Sequence, residues 1–182
     1  MKKVLKPLFL LFLGGVLFAS CKNAGKSSTE TSMDSSSTTT KVQKMDYPYT
    51  ITHPDYWETG SQQNTMNVLK ALKAYENKNI DESLSYFGDS VRIAFDGIDK
   101  KVSKDTLKVL FSPDPKILKH SIKMNDWESV ISSDKKDEYV TIWYRQYTET
   151  AKGKDSLDVV NDFKMKDGKI IELTEYQRKL HK

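Results

Sequence analysis

Four rhythms of apolar and polar residues follow one another along the chain. From Pro7 to Ser20 there is no charge, and Leu8 to Leu13 with Val16 to Ala19 make a short apolar run. From Lys22 to Asp46 the sequence is polar and rich in Ser and Thr, with Val42 its single branched aliphatic residue and no aromatic. Apolar residues then recur at Met66, Leu69, Leu72 and Tyr75, joined by Val68. That spacing predicts an amphipathic helix, capped by Ser61 or Asn64 and ended by Asn77-Lys78-Asn79. A second, short helix is expected from a cap at Asp81 through Leu84 and Phe87 to a stop at Gly88. Val91 to Asp96 alternates as a strand and turns at Asp96-Gly97, and Ser103 can cap a third helix carrying Leu107, Leu110 and Phe111. From Ile117 onward the period is two. Ile122, Met124, Asp126, Glu128 and Val130 share one strand face. Val140, Ile142, Tyr144, Gln146 and Thr148 share a face of the next, and Leu157, Val159, Asn161, Phe163 and Met165 a face of the third. Lys152-Gly153-Lys154 and Asp167-Gly168 read as hairpin turns, and Lys169 to Arg178 as the last strand. Helices first and a strand meander afterwards is an α+β order. The aromatic, proline-bearing stretch from Tyr47 to Trp57 is expected to lie as an arm across the domain, its aromatics packed.

The first two segments change the picture of where the protein works. Met1-Lys2-Lys3 and Lys6 precede the apolar run, which is interrupted by Gly14-Gly15 and is shorter than the roughly 20 residues a membrane-spanning helix needs. Residues 1–20 therefore read as a cleaved export signal. Leu17-Phe18-Ala19-Ser20-Cys21 resembles a bacterial lipobox, which implies acyl chains on Cys21 and an anchor in the cell-envelope membrane. The alternative is an ordinary secreted protein with an isolated cysteine. Residues 21–46 cannot bury enough apolar surface to offset their conformational entropy and read as a flexible tether with a root-mean-square reach of roughly 28 Å. Residues 47–182 are the size of one domain. Cys21 is the single cysteine of the chain, so the domain relies on its core rather than on a disulfide. The chain holds 29 basic and 25 acidic residues, and Lys2, Lys3 and Lys6 of the leader account for most of the excess. A near-neutral domain gives no reason to expect a nucleic-acid partner.

The order of elements resembles a known architecture. The run Val159-Val160-Asn161-Asp162-Phe163-Lys164-Met165-Lys166-Asp167-Gly168-Lys169-Ile170-Ile171-Glu172 is similar to the closing hairpin of the NTF2-like superfamily, particularly its SnoaL-like branch. The helix from Met66 to Asn77, followed by Phe87-Gly88-Asp89-Ser90-Val91, resembles that superfamily's opening. The resemblance extends from about Ser61 to Arg178. It implies N-terminal helices packed on a strongly curved antiparallel sheet, a cone with a pocket at its open end, and frequent homodimers. Isomerases, cyclases, hydrolases and non-catalytic binding proteins share that cone, so function rests on the residues of the pocket.

Polar residues on otherwise apolar faces are the candidates for that pocket, because an unpartnered buried polar group costs a few kcal/mol. They are Asp126 and Glu128 after Met124, Gln146 after Tyr144, and Asn161 between Val159 and Phe163. Glu172 follows Ile170 on the last strand, although Ile171 and Leu173 make the opposite face equally apolar. Tyr75, Tyr144 and Phe163 complete the candidate set. A carboxylate such as Asp126 beside Tyr144 is the candidate acid or base if the domain is catalytic. His53, His120 and His181 lie in an arm, at a strand start and at the chain end, which suits no catalytic constellation. Tyr139, Trp143, Arg145 and Tyr147 occupy the opposite face and suggest a dimer interface. Gly-rich phosphate loops, Cys/His metal spacings and nucleophile elbows are absent, so neither metal nor nucleotide cofactor is expected. Three readings follow: a binding domain holding a small apolar or amphipathic molecule, a dimeric module with a filled cone, or an enzyme using a pocket carboxylate.

Overall fold

A computed structural model describes residues 46–50 and 57–180. The expected signal, Cys21 and almost all of the tether lie outside the described residues, as do His53 and His181. Tyr47–Lys182 forms its own compact unit. Its strands are β1 (Trp57–Thr59), β2 (Phe87–Phe95), β3 (Ile98–Ser103), β4 (Ile117–Ser132), β5 (Glu138–Thr150), β6 (Gly153–Lys166) and β7 (Lys169–Lys179). Its helices are α1 (Gln62–Glu76), α2 (Ile80–Ser85) and α3 (Lys104–Leu110). The strands form one open sheet in the order β1-β4-β5-β6-β7-β2-β3, antiparallel throughout except where β2 meets β7 in parallel. This is the expected α+β architecture.

Local chemistry explains most boundaries. The Ser61 hydroxyl accepts from the Asn64 amide to cap α1, and Glu138 of β5 accepts from the Ser61 amide at 2.7 Å, tying the helix start to the sheet. At the other end, Glu76 accepts from the Ile122 amide at 2.7 Å and fixes α1 to β4. Asn79, rather than Asp81, caps α2, its side chain accepting from Glu82. That helix ends at Ser85, before Gly88, because Phe87 and Gly88 already belong to β2. The two-residue turn at Asp167-Gly168 has φ of 49° and 74°, the conformation a tight hairpin demands. At Gly60 a side chain has no room, since a Cβ there would stand 2.2 Å from Ser129 Oγ.

The buried stripe of α1 is Asn64, Thr65, Val68, Ala71 and Ala74, with Leu69 and Leu72 partly buried and Met66 48% exposed. A strict three-residue repeat drifts around a helix of 3.6 residues per turn, which carries Met66 to the outside. The small alanines let α1 approach the sheet, and it touches β4, β5 and β7. The core beneath it is made by Val140, Ile142, Val159, Phe163, Met165, Ile170 and Leu173 from the sheet, with Val68, Leu84, Phe87, Val91, Ile93 and Leu107 around them. The N-terminal arm differs from expectation. Tyr47 and Tyr49 are exposed, while Trp57 enters β1 and meets Tyr139 edge-on at 5.9 Å between ring centroids.

Candidate functional site

The sheet register determines which polar groups meet. Across β5, β6 and β7 the inward-facing residues form rows: Val140, Phe163 and Leu173; then Ile142, Asn161 and Glu175; then Tyr144, Val159 and Gln177. The first row belongs to the core. The next two carry an amide, a carboxylate, a phenol and a second amide onto adjacent positions of one wall. Opposite them stand Ala71, Leu72 and Tyr75 of α1, Ser83 of α2, Phe87 and Phe95 of β2, and Leu110 and Phe111 at the end of α3. These surfaces line a partly open cavity of about 210 Å³. Tyr75 and Phe87 each hold Phe111 edge-on at 5.7 Å, which braces one side of it.

Asn161 is the hub of the polar wall. It is 4% exposed, and its amide stands 3.4 Å from the Tyr144 hydroxyl. With its NH2 turned to Glu175 it donates to Oε2 at 3.1 Å and to the Val160 carbonyl at 3.2 Å, which leaves its carbonyl oxygen facing the Tyr144 hydroxyl. Gln177 Nε2 donates to Oε1 of the same Glu175. The carboxylate therefore rests on neutral amides, and among the described residues it forms no ion pair with Lys, Arg or His. Burial raises the Tyr144 phenol far above the usual range, and the charge of Glu175 adds to the shift. Tyr75 moves in the same direction for the same two reasons. Both hydroxyls remain protonated at physiological pH. The site therefore offers phenol and amide groups beside one carboxylate, within apolar walls.

Five of the candidate pocket residues, Tyr75, Tyr144, Gln146, Asn161 and Phe163, line this cavity. Asp126 and Glu172 do not, and in both cases a β-bulge reverses the strand phase. The β4 to β5 register slips between Met124 and Asp126, so Asp126 pairs with Trp143 on the outer face and is exposed. Glu128 pairs with Thr141 and follows it outward. On β7 the slip between the Ile170 and Glu172 pairs sends Glu172 out to Arg92, whose guanidinium lies 2.5 Å away. The same slip puts Glu175 and Gln177 inward, in phase with Leu173. Leu173 was the sequence signal for them, since it alternates with both.

The outer-face candidates also have definite places. Arg145 holds Asp158 through two nitrogens at 2.7 and 3.3 Å, and Arg178 reaches the same carboxylate at 2.7 Å. Trp143, Val160 and Tyr176 make an adjoining apolar cross-strand row, with Tyr176 65% exposed. Tyr147 is 40% exposed, and Tyr139 lies between Trp57 and the Lys164 ammonium. Among the described residues no three His, Cys, Asp or Glu side chains gather as metal ligands would, and no helix is long and apolar enough to cross a membrane. A wider surface hollow of about 590 Å³ near the β5 to β6 turn is lined by charged, threonine and aliphatic residues, none of its described lining residues being aromatic.

No protein-family model matches the chain, and no curated protein matches it in sequence. Solved structures match its fold. An M. tuberculosis LEH-like epoxide hydrolase superposes with a TM-score of 0.51 at 15% identity, covering 64% of this chain and 83% of that one. RV0760c from Mycobacterium tuberculosis, in complex with estradiol-17β-hemisuccinate, gives 0.51 at 13% identity, over 64% and 94%. An NTF2-like protein of unknown function from Burkholderia pseudomallei gives 0.52 at 12%, over 65% and 92%. At these identities the likeness establishes a shared fold, and the fold is NTF2-like.

Proposed function

We propose that this NTF2-like domain is a binding module for a small amphipathic molecule, held in the cavity between α1 and strands β5 to β7. The observation that carries the reading is the convergence of Tyr75, Tyr144, Asn161 and Glu175 on a cavity whose other walls are mainly apolar and aromatic. Size narrows the ligand. A cavity of about 150 Å³ takes benzene, and drug-sized sites start at about 300 Å³. At about 210 Å³ this one suits a single ring or short chain with one polar head. A fold relative was solved with a steroid conjugate, and a body of that size exceeds this cavity. The direct test is mass spectrometry of small molecules released from the purified mature domain, compared with Ala71→Leu, which adds bulk at the wall. A released species lost in the variant supports the reading. A wild-type domain that retains nothing and takes up no ligand of this size is evidence for a filled, purely structural cone.

A second reading, proton-transfer catalysis, has one observation in its favour: a carboxylate beside two protonated phenols is an acid and base arrangement. It requires Glu175→Gln to abolish turnover while ligand affinity persists. The remaining proposals concern place and partner. Lipidation at Cys21 would hold the domain at the envelope membrane, with two or more acyl chains giving a stable anchor. Labelling with a palmitate analogue should mark the wild type and not Cys21→Ser. The row of Trp143, Val160 and Tyr176 beside the Arg145, Asp158 and Arg178 network has the apolar centre and charged border of a homodimer interface.

A further inference from the structure

We infer that the natural ligand of this cavity carries a protonated amine. The inference rests on the reading of the cavity as a ligand site and specifies the chemistry of its occupant.

Among the described residues that line the walls, Glu175 is the one carboxylate, and none is Lys, Arg or His. Its two described hydrogen-bond donors, Asn161 and Gln177, are neutral amides. Two outward-facing carboxylates of the same sheet do have cations, Asp158 with Arg145 and Arg178 and Glu172 with Arg92, whereas Asp162, like Glu175, has a neutral partner, the Thr141 hydroxyl. A half-buried carboxylate at the cavity wall, held by neutral amides alone, leaves room for an ion pair with a cationic ligand. His120 touches Tyr75 ring to ring at 5.6 Å but is not part of the cavity wall.

The walls agree with the charge. Six aromatic rings line the cavity: Tyr75, Phe87, Phe95, Phe111, Tyr144 and Phe163. Ring faces attract ammonium groups, and the attraction grows when water is excluded. An anionic head would meet the Glu175 carboxylate with no guanidinium or ammonium among the described lining residues to offset it, and a neutral head would form no ion pair with it. One carboxylate, amides that steady it and an aromatic enclosure make a complementary receptor for a small ammonium on an apolar body.

The test compares isosteres. Benzylamine and benzyl alcohol share shape and size and differ in charge at pH 7. Titrated into the mature wild-type domain and followed by amide chemical-shift changes, the amine should bind at least about tenfold more tightly than the alcohol. Glu175→Gln, nearly isosteric and checked for folding by spectral dispersion, should bring that ratio close to one. If the variant does not fold, the wild-type ratio decides. Equal affinities, or tighter binding of the alcohol, would overturn the amine assignment and leave the binding-module reading standing. If neither probe binds at millimolar concentration, both are overturned.

Discussion

The Tyr144 hydroxyl provides the sharpest test of the polar wall. Tyr144→Phe keeps the ring, which is 3% exposed, and deletes one oxygen facing the Asn161 amide at 3.4 Å. A net hydrogen bond is worth about 0.5–1.5 kcal/mol, and the length of this one argues against the upper end. The loss should be about 1 kcal/mol, because the Asn161 carbonyl is left without its donor. For a domain of about 136 residues, with an unfolding entropy of roughly 2.1 cal/mol/K per residue, this lowers the midpoint by about 3–4 °C. Urea titration at pH 7 measures it as a lower midpoint at unchanged slope. Asn161→Ala should cost more, since it also strips a donor from Glu175. The double variant should cost less than the sum of the two, with a coupling of at least about 0.5 kcal/mol. Strict additivity, or a Tyr144→Phe domain as stable as wild type, would refute the claim that these groups satisfy one another.

Other outcomes follow from the same structure. Gly60→Ala places a methyl 2.2 Å from Ser129 Oγ and 3.0 Å from the Val130 amide, and should cost about 1–3 kcal/mol by thermal unfolding. Adding Ser129→Ala removes the closest atom and should restore part of it. The guanidiniums of Arg145 and Arg178 hold the Asp158 carboxyl at about 2, below its ordinary 3.8. Folding thus favours the ionised form, a contribution fully present above about pH 4 and lost as pH falls through 2. Asp158→Asn should flatten that part of the acid limb in pH-dependent unfolding curves. If the outer face is an interface, Trp143→Glu should convert a sedimenting dimer to a monomer with the fold intact. A wild type that sediments as a monomer at micromolar concentration would remove the dimer.

The sequence revealed elements better than faces. Turns announced themselves because Asp167-Gly168 adopts backbone angles that few other pairs tolerate, and the α1 cap was visible as a serine three residues before the amide it satisfies. Tyr144, Gln146, Asn161 and Phe163 were legible because β5 and β6 pair through the site without a slip. Asp126 and Glu172 were misplaced, and Glu175 missed, for one physical reason. Alternation carries no mark of a bulged residue, and a single extra residue inverts every side chain beyond it. Ile171 on β7 was the clue that could not be resolved locally, since consecutive apolar residues fit either phase. The second strand of the β2 to β3 hairpin went unread because half of Ile98 to Ser103 is charged, and its pairing with β2 is set by the turn.

The central claim is that the cavity walled by Tyr75, Tyr144, Asn161 and Glu175 is where this protein meets its ligand. Nitrogen-proton correlation spectra of the domain spanning residues 47–182, recorded against a panel of single-ring amines and alcohols, test it most directly. Saturable shifts should concentrate on α1 near Tyr75 and on the inward positions of β5, β6 and β7, with the Trp143 and Tyr176 face unmoved. Saturable shifts confined to that outer face, or none with any member of the panel, would contradict it.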